Sequence, residues 1–351
     1  MDLFEAIDQN DMAQVRRLLA DKPDLIARRG REDWTPLHRA AFHGRQTTLQ
    51  LLLEAGADRE ARDHEGLTPL LCAANHGRVA VIRVLLDAGA DLTAGDDQDR
   101  TALHYAAMGG HRGPLELLLE RKAPIERPDE NGRTPFLWTA IHGHLSAAEL
   151  LLERGANLRA RDEGGMSALH CAVAHGRHNL IPFFLERGLG LEDKDDRCRT
   201  AFWYAASNGQ VQSLRCLHEK GAQRRVVDCD GWGTLQIAAA HGRVEAVAWL
   251  VAQGCEIDEP DTYGRTPLIH AAWRGCRGVV DGLIEDGAAL DAADNEGMTA
   301  LHWAAREGQS DCVSILLARG ADRARRDNSG KTPLDHAKQR GHTEIEKLLA
   351  G

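Results

Sequence analysis

One short motif returns every 33 residues, and that period leaves the chain few ways to fold. Its anchor position is Thr35, Thr68, Thr101, Thr134, Ser167, Thr200, Gly233, Thr266, Thr299 and Thr332, and a glycine stands nine residues after each, from Gly44 to Gly341. No insertion or deletion breaks the phase between the first anchor and the last glycine. A fixed period of this length belongs to units that stack on their neighbours, each too small to bury its own apolar face. A chain of 351 residues would otherwise split into two or three globular domains.

Each unit can be built from local rules. In Thr35-Pro36-Leu37-His38 the Thr hydroxyl caps the free N–H groups of a helix start, and Pro36 takes the first helical position, where its missing N–H costs nothing. Alanine pairs follow (Ala40-Ala41, Ala73-Ala74, Ala106-Ala107, Ala205-Ala206, Ala304-Ala305) and keep this helix thin. The recurrent glycine ends it in the left-handed conformation. A second helix carries apolar residues such as Leu49, Leu51, Leu52 and Leu53, and Gly56-Ala57 closes it. Asp63-His64-Glu65-Gly66 then fits a type I turn, with Asp in the same column through Asp327.

Turn, helix, helix at this period resembles the ankyrin repeat. Thr35-Pro36-Leu37-His38-Arg39-Ala40-Ala41 and Thr299-Ala300-Leu301-His302-Trp303-Ala304-Ala305 are similar to that family's first-helix motif, and the resemblance covers the whole chain. It implies an all-α fold, an ankyrin-repeat solenoid of helix-turn-helix units with β-turn or hairpin loops in a single curved array. The phase implies eleven units: an N-terminal cap at 1–33, nine internal repeats over 34–331, and a truncated C-terminal cap at 332–351. Units 167–265 break the rules most often, with Pro182 early in a second helix, Cys198 for the turn glycine, Trp203, Cys216, Gly233 for the capping Thr, and Gln236 for His. They are expected to form the softest segment. Trp249 and Gly282 share a core column in adjacent units, so the indole is expected to fill the space the glycine leaves, and Gly282→Leu to overpack.

Chemistry is sparse. Of the seventeen His, His43, His76, His142, His175 and His241 recur with the repeat, and the first-helix histidines are expected to hydrogen-bond neighbouring loops. Zinc needs clustered ligands such as CxxC, and none occurs. Cys198 and Cys229 sit on adjacent turns without two further ligands, and the eight cysteines show no pairing pattern, so reduced thiols are expected. No Gly-rich phosphate loop or nucleophile elbow is present, and acid pairs such as Asp96-Asp97 and Asp195-Asp196 read as solvated turns. We therefore expect no enzyme, no metal and no cofactor. A net charge of −10 argues against nucleic acid. No stretch is apolar enough to cross a membrane, and Met1-Asp2-Leu3-Phe4-Glu5 does not open a secretory signal, so a cytoplasmic monomer is expected.

The family resemblance implies protein binding on the concave side, formed by turn tips and the exposed face of each first helix. The default residue there is polar, so aromatics are informative. Those columns hold Trp34, Phe42, Trp232, Tyr263 and Trp273, and a column just before the Ala pair holds Tyr105, Trp138, Tyr204 and Trp303. The densest group is Trp232, Tyr263, Arg265, Trp273, Arg274 and Arg306, of the residue types that dominate interface energetics. Arg274 beside Trp273 suits a partner with an acidic or aromatic segment. Trp34 and Phe42 form a second, N-terminal candidate. The function expected is a non-catalytic scaffold for one or more partner proteins. The alternatives are a regulatory, inhibitory or substrate-recruiting subunit of an enzyme, and a secreted effector of a host-associated microbe.

Overall fold

The computed structural model describes residues 1–351 and is helical throughout, with four isolated β-bridges such as Gly95 to Thr101 and no strands. It divides into two compact units, Met1–Ala172 and Val173–Gly351. The first holds α1 (Leu3–Asp8), α2 (Met12–Asp21), α3 (Pro36–His43), α4 (Gln46–Glu54), α5 (Pro69–Asn75), α6 (Val79–Asp87), α7 (Ala102–Met108), α8 (Arg112–Glu120), α9 (Pro135–His142) and α10 (Leu145–Glu153). Helix α11 (Ala168–Ala174) runs across the boundary. The second unit continues with α12 (Ile181–Glu186), α13 (Ala201–Asn208), α14 (Val211–Glu219), α15 (Thr234–Ala240), α16 (Val244–Ala252), α17 (Pro267–Arg274), α18 (Arg277–Glu285), α19 (Ala300–Arg306), α20 (Ser310–Ala318), α21 (Pro333–Arg340) and α22 (Thr343–Ala350).

Helix starts and stops obey the capping rules. The hydroxyls of Thr35, Thr68, Thr134, Thr200, Thr266 and Thr332 each accept the backbone N–H three residues on, and Gly44, Gly143, Gly209, Gly275 and Gly341 end their helices at φ between 73° and 85°. Because the alanine pairs are fully buried, first helices lie directly on first helices: α3, α5, α7 and α9 in one unit, α13, α15, α17, α19 and α21 in the other. Second helices do the same in a parallel layer, as α4 on α6 and α16 on α18. Buried Leu, Ile and Val from both layers form the core between them.

Every turn from Asp63 to Asp327 is closed by its own aspartate. Oδ1 of Asp96, for example, accepts the N–H groups of Gln98 and Arg100, and Asp261 does the same for Tyr263 and Arg265. Successive tips are joined by backbone bonds such as Asp97 N–H to Glu65 O and Asn295 N–H to Tyr263 O. His38, His104 and His302 bond the neighbouring loop as expected, whereas His76 bonds Cys72 O of its own helix and His270 and His336 the aspartate of their own turn. His38 Nδ1 meets the Thr35 hydroxyl at 2.8 Å and its Nε2 meets Leu67 O at 2.9 Å, with His104 and His302 placed alike. Trp203 uses its indole N–H for the same cross-loop bond, to Trp232 O at 3.4 Å, while the Gln236 amide reaches a different carbonyl of the next loop, Glu259 O, at 2.6 Å.

Two sequence expectations need correction. Cys198 and Cys229 are not free thiols: they form a disulfide with Cα atoms 5.4 Å apart, leaving six free cysteines. Trp249 does not fill space at Gly282; its ring lies against Phe202 and His218, and a Cβ on Gly282 would meet nothing within 4 Å. Pro182 sits at the start of α12, and the second helix of its unit opens as a 3-10 turn, His178–Leu180, before it. Gly233, by contrast, is matched to its neighbour: a Cβ there would run into the Gln236 side chain.

Candidate functional site

Two sets of loops and helix ends carry the aromatic residues singled out above. In the second unit each turn tip lies beside the last turn of the first helix that follows. Trp232 precedes α15, Tyr263 and Arg265 precede α17, and Trp273 and Arg274 end α17. Stacking the first helices brings these side chains into one continuous run. Trp232 packs on His270 at a centroid distance of 4.3 Å and lies 6.2 Å from Trp273, which in turn lies 5.4 Å from Trp303. These are ordinary aromatic contact distances.

Guanidinium groups cover the run. Arg265 sits 5.0 Å from the Tyr263 ring, 5.2 Å from Trp273 and 4.7 Å from Trp303. Arg274 lies 4.6 Å from Trp273, and Arg306 lies 4.9 Å from Trp303. The six predicted residues are thus linked in one run, Trp232 through its ring contact with Trp273 and Arg306 through Trp303. They differ in access. Tyr263 is 54% exposed, Arg274 is exposed, Trp232, Trp273 and Arg306 are half-buried, and Arg265 keeps only 17% of its side chain in solvent. The nearest acid to Arg265 is Asp294, at 3.9 Å, and its Nε is buried without a hydrogen bond.

The neighbouring column has a structural task of its own. Tyr105, Trp138, Tyr204 and Trp303 each donate to Oδ2 of the turn aspartate nine residues earlier, at 2.6–2.8 Å. His270 and His336 make the same contact to Asp261 and Asp327. Tyr105 and Trp303 are accordingly only 4% and 5% exposed. The signal was present in the sequence: an aromatic or His nine residues after each of these aspartates.

In the first unit Trp34 and Phe42 also meet, at 5.2 Å, and Phe42 packs on His76 at 4.3 Å. This cluster is satisfied internally. Trp34 donates to Asp63 Oδ2 at 3.0 Å, and Arg39, 5.9 Å from the Trp34 ring, is held by Asp8 at 2.6 Å.

A groove of about 770 Å³ adjoins the Arg306 end of the aromatic run, lined among others by Asn295, Glu296, Arg306, Asn328, Lys331 and Arg340. No three His, Cys, Asp or Glu side chains come together in a way that could hold a metal ion. No helix is long and apolar enough to cross a membrane.

Comparison with known proteins matches almost the whole chain to repeat families. Residues 55–129, 115–198, 202–294 and 287–351 match the family model described as ankyrin repeats (3 copies), 32–64 that of a single ankyrin repeat, and 3–47 that of ankyrin repeats (many copies). Among curated proteins, serine/threonine-protein kinase VIK of Arabidopsis thaliana is 47% identical over 55 residues, 16% of this chain and 13% of that protein. Human ankyrin repeat domain-containing protein 49 is 41% identical over 59 residues, 17% of this chain and 25% of that protein. Among solved structures, the ankyrin repeat domain of Bcl-3, described as a unique member of the IkappaB protein family, superposes with a TM-score of 0.52 at 28% identity, covering 63% of this chain and all of that one. The human ASB11 ankyrin repeat domain gives 0.55 at 27% identity, over 62% of this chain and 98% of that one.

Proposed function

Because the chain belongs to the ankyrin-repeat family, we propose that it is a non-catalytic scaffold that binds a partner protein through Trp232, Tyr263, Arg265, Trp273, Arg274 and Arg306. These lie on the side of turn tips and first-helix ends, the side expected to be concave. Residues 1–33 and 332–351 would act as caps for the nine internal repeats over 34–331. The observation that supports the reading most is the connected run Trp232, Trp273, Trp303 under three guanidinium groups, with Tyr263 exposed at its edge. Such side chains bury large area on contact and still offer polar handles. They are already held by their neighbours, so a partner orders little on binding. The short match to a plant kinase covers 13% of that protein and carries no kinase activity to this chain.

Affinity capture from lysate of the source cells tests this. Wild type is run beside a folded Trp232→Ala, Tyr263→Ala, Trp273→Ala, Arg274→Ala variant, and beside a milder Tyr263→Ser, Arg274→Glu variant that touches only exposed groups. A partner kept by wild type and lost by both variants is the expected result. Identical partners on all three overturn the assignment of the face and turn attention to Trp34 and Phe42. The Cys198–Cys229 disulfide favours a second reading, that the same binder works outside a reducing compartment, as an exported effector would.

A further inference from the structure

We infer that the partner segment seated on residues 263–340 is an extended acidic peptide carrying at least one aromatic or aliphatic side chain; this rests on the protein-binding reading above. The first support is where positive charge falls in the repeat. The two positions before each helix-ending glycine read Phe42-His43, Asn75-His76, Met108-Gly109, Ile141-His142, Ala174-His175, Ser207-Asn208 and Ala240-His241, with no Lys or Arg. The last three units read Trp273-Arg274, Arg306-Glu307 and Gln339-Arg340. One side of a molecule with net charge −10 thus becomes cationic over three successive units, next to the aromatic run.

These cations are not used up by the fold. Arg274 and Arg340 are exposed and have no acidic partner within 4.0 Å, and Arg306 has only the adjacent Glu307, at 3.6 Å. Lys331 contacts a neutral group, Gln339 Oε1, at 2.9 Å. Of the acids nearby, Asp327 is occupied by His336 at 2.7 Å and by the turn N–H groups of Ser329 and Lys331, which leaves Glu296 as the free acid of the groove. Arg274 and Arg306 are also pre-oriented by the rings beneath them. Carboxylates spaced along an extended chain would meet Arg274, Arg306 and Arg340 in turn, with an apolar side chain between them on Tyr263 and Trp273. Opposite charge then sets the direction and speed of docking, and ring contact adds affinity.

The test is fluorescence anisotropy with a short fluorescein-labelled peptide in which pairs of Glu alternate with single Phe. Its relatives carry Lys for Glu or Ser for Phe, and a labelled oligothymidine serves as a second polyanion. The full chain should bind the Glu/Phe peptide, lose affinity several-fold as salt rises from about 50 to about 500 mM, and prefer it over all three relatives. A folded Arg274→Gln, Arg306→Gln, Arg340→Gln variant should lose at least about tenfold. No binding of the Glu/Phe peptide, equal binding of the Lys/Phe peptide or of oligothymidine, or full affinity in the triple variant overturns the inference. The two readings fail separately. A captured partner that is lost on the Tyr263→Ser, Arg274→Glu variant, yet kept by Arg306→Gln, Arg340→Gln and not displaced by the Glu/Phe peptide, leaves the scaffold standing and removes the acidic segment.

Discussion

The phenol of Tyr105 donates to Asp96 Oδ2 at 2.6 Å while Oδ1 of the same carboxylate closes the turn, so one buried aspartate ties a loop to the helix that follows it. Burial alone would raise this carboxyl, but the Tyr105 and Arg100 donors and the turn N–H groups together hold it below the ordinary carboxylate value. Tyr105→Phe keeps the ring and removes the donor, and should cost about 1–2 kcal/mol in urea melts at neutral pH. A change under about 0.3 kcal/mol would show that the bond is not a stability element.

Asp228 is the contrasting case. Nine residues on stands Ile237, which offers no donor, and burial raises the Asp228 carboxyl above its ordinary value despite the N–H groups of Asp230 and Trp232. A raised folded pKa means that ionisation opposes folding, so stability is lost as pH rises through it. Asp228→Asn keeps the Oδ1 acceptor and removes the charge. It should be neutral or stabilising at pH 7, whereas Asp96→Asn should cost about 2 kcal/mol or more. Equal losses in the two variants would break the comparison.

The cross-loop histidines make stability fall in mild acid. Burial lowers the imidazoles of His38 and His302 and takes His104 down to about 4. The folded pKa lies below the unfolded value near 6.5, so the unfolded chain binds protons first and stability is lost as pH falls from about 6.5 towards about 4. His104 alone is worth up to about 3 kcal/mol across that window. Gln236 shows that an amide in this column can bond a carbonyl of the next loop, there Glu259 O. His104→Gln should therefore flatten the pH dependence between 6.5 and 4 while remaining folded at pH 7, as read by urea midpoints at both ends. An unchanged slope would rule His104 out as a contributor.

Gly282 sits in α18 with open space where its Cβ would go. Glycine in a helix interior costs about 0.5–1 kcal/mol relative to alanine, so Gly282→Ala should raise the melting temperature. A lower one would mean that the column is packed after all, as its sequence position implied.

Much of this was legible because the repeat converts sequence phase into spatial phase. Thr35 and Gly44 mark a helix start and stop wherever they recur, and residues 33 apart must come to lie side by side, which is why the sequence alone groups Trp232, Tyr263, Arg265, Trp273, Arg274 and Arg306. What escaped depends on side-chain direction within a column. Trp249 turns to Phe202 and His218 instead of towards Gly282, and Trp303 divides itself between Asp294 and the ring stack. Column membership carries no rotamer, so spacing alone gives neither the turn of Trp249 nor the ring stack of Trp303, although the nine-residue interval to Asp294 does mark the Trp303 hydrogen bond.

The Cys198–Cys229 disulfide is not legible from cysteine spacing but follows from the approach of neighbouring turns. Seven of the nine turns hold glycine where Cys198 stands. The reason is contact with the residue 31 positions later: a Cβ would come to 2.8 Å of the Asp97 backbone N from Gly66, 2.7 Å of Glu163 N from Gly132, and 2.8 Å of Asn295 N from Gly264. Cys198 adopts the same left-handed backbone, φ 63°, and the residue 31 on is Cys229. Where neighbouring tips must approach most closely, the chain thus carries both halves of a covalent bond. Alkylation in urea without reductant should modify six thiols and leave peptides containing Cys198 and Cys229 joined; eight modified thiols would exclude the bond. Linking residues this far apart stabilises by about 2–4 kcal/mol. Reductant should lower the urea midpoint of the wild type but not of a Cys198→Gly, Cys229→Ala variant, in which the turn regains its glycine and the close approach needs no bridge.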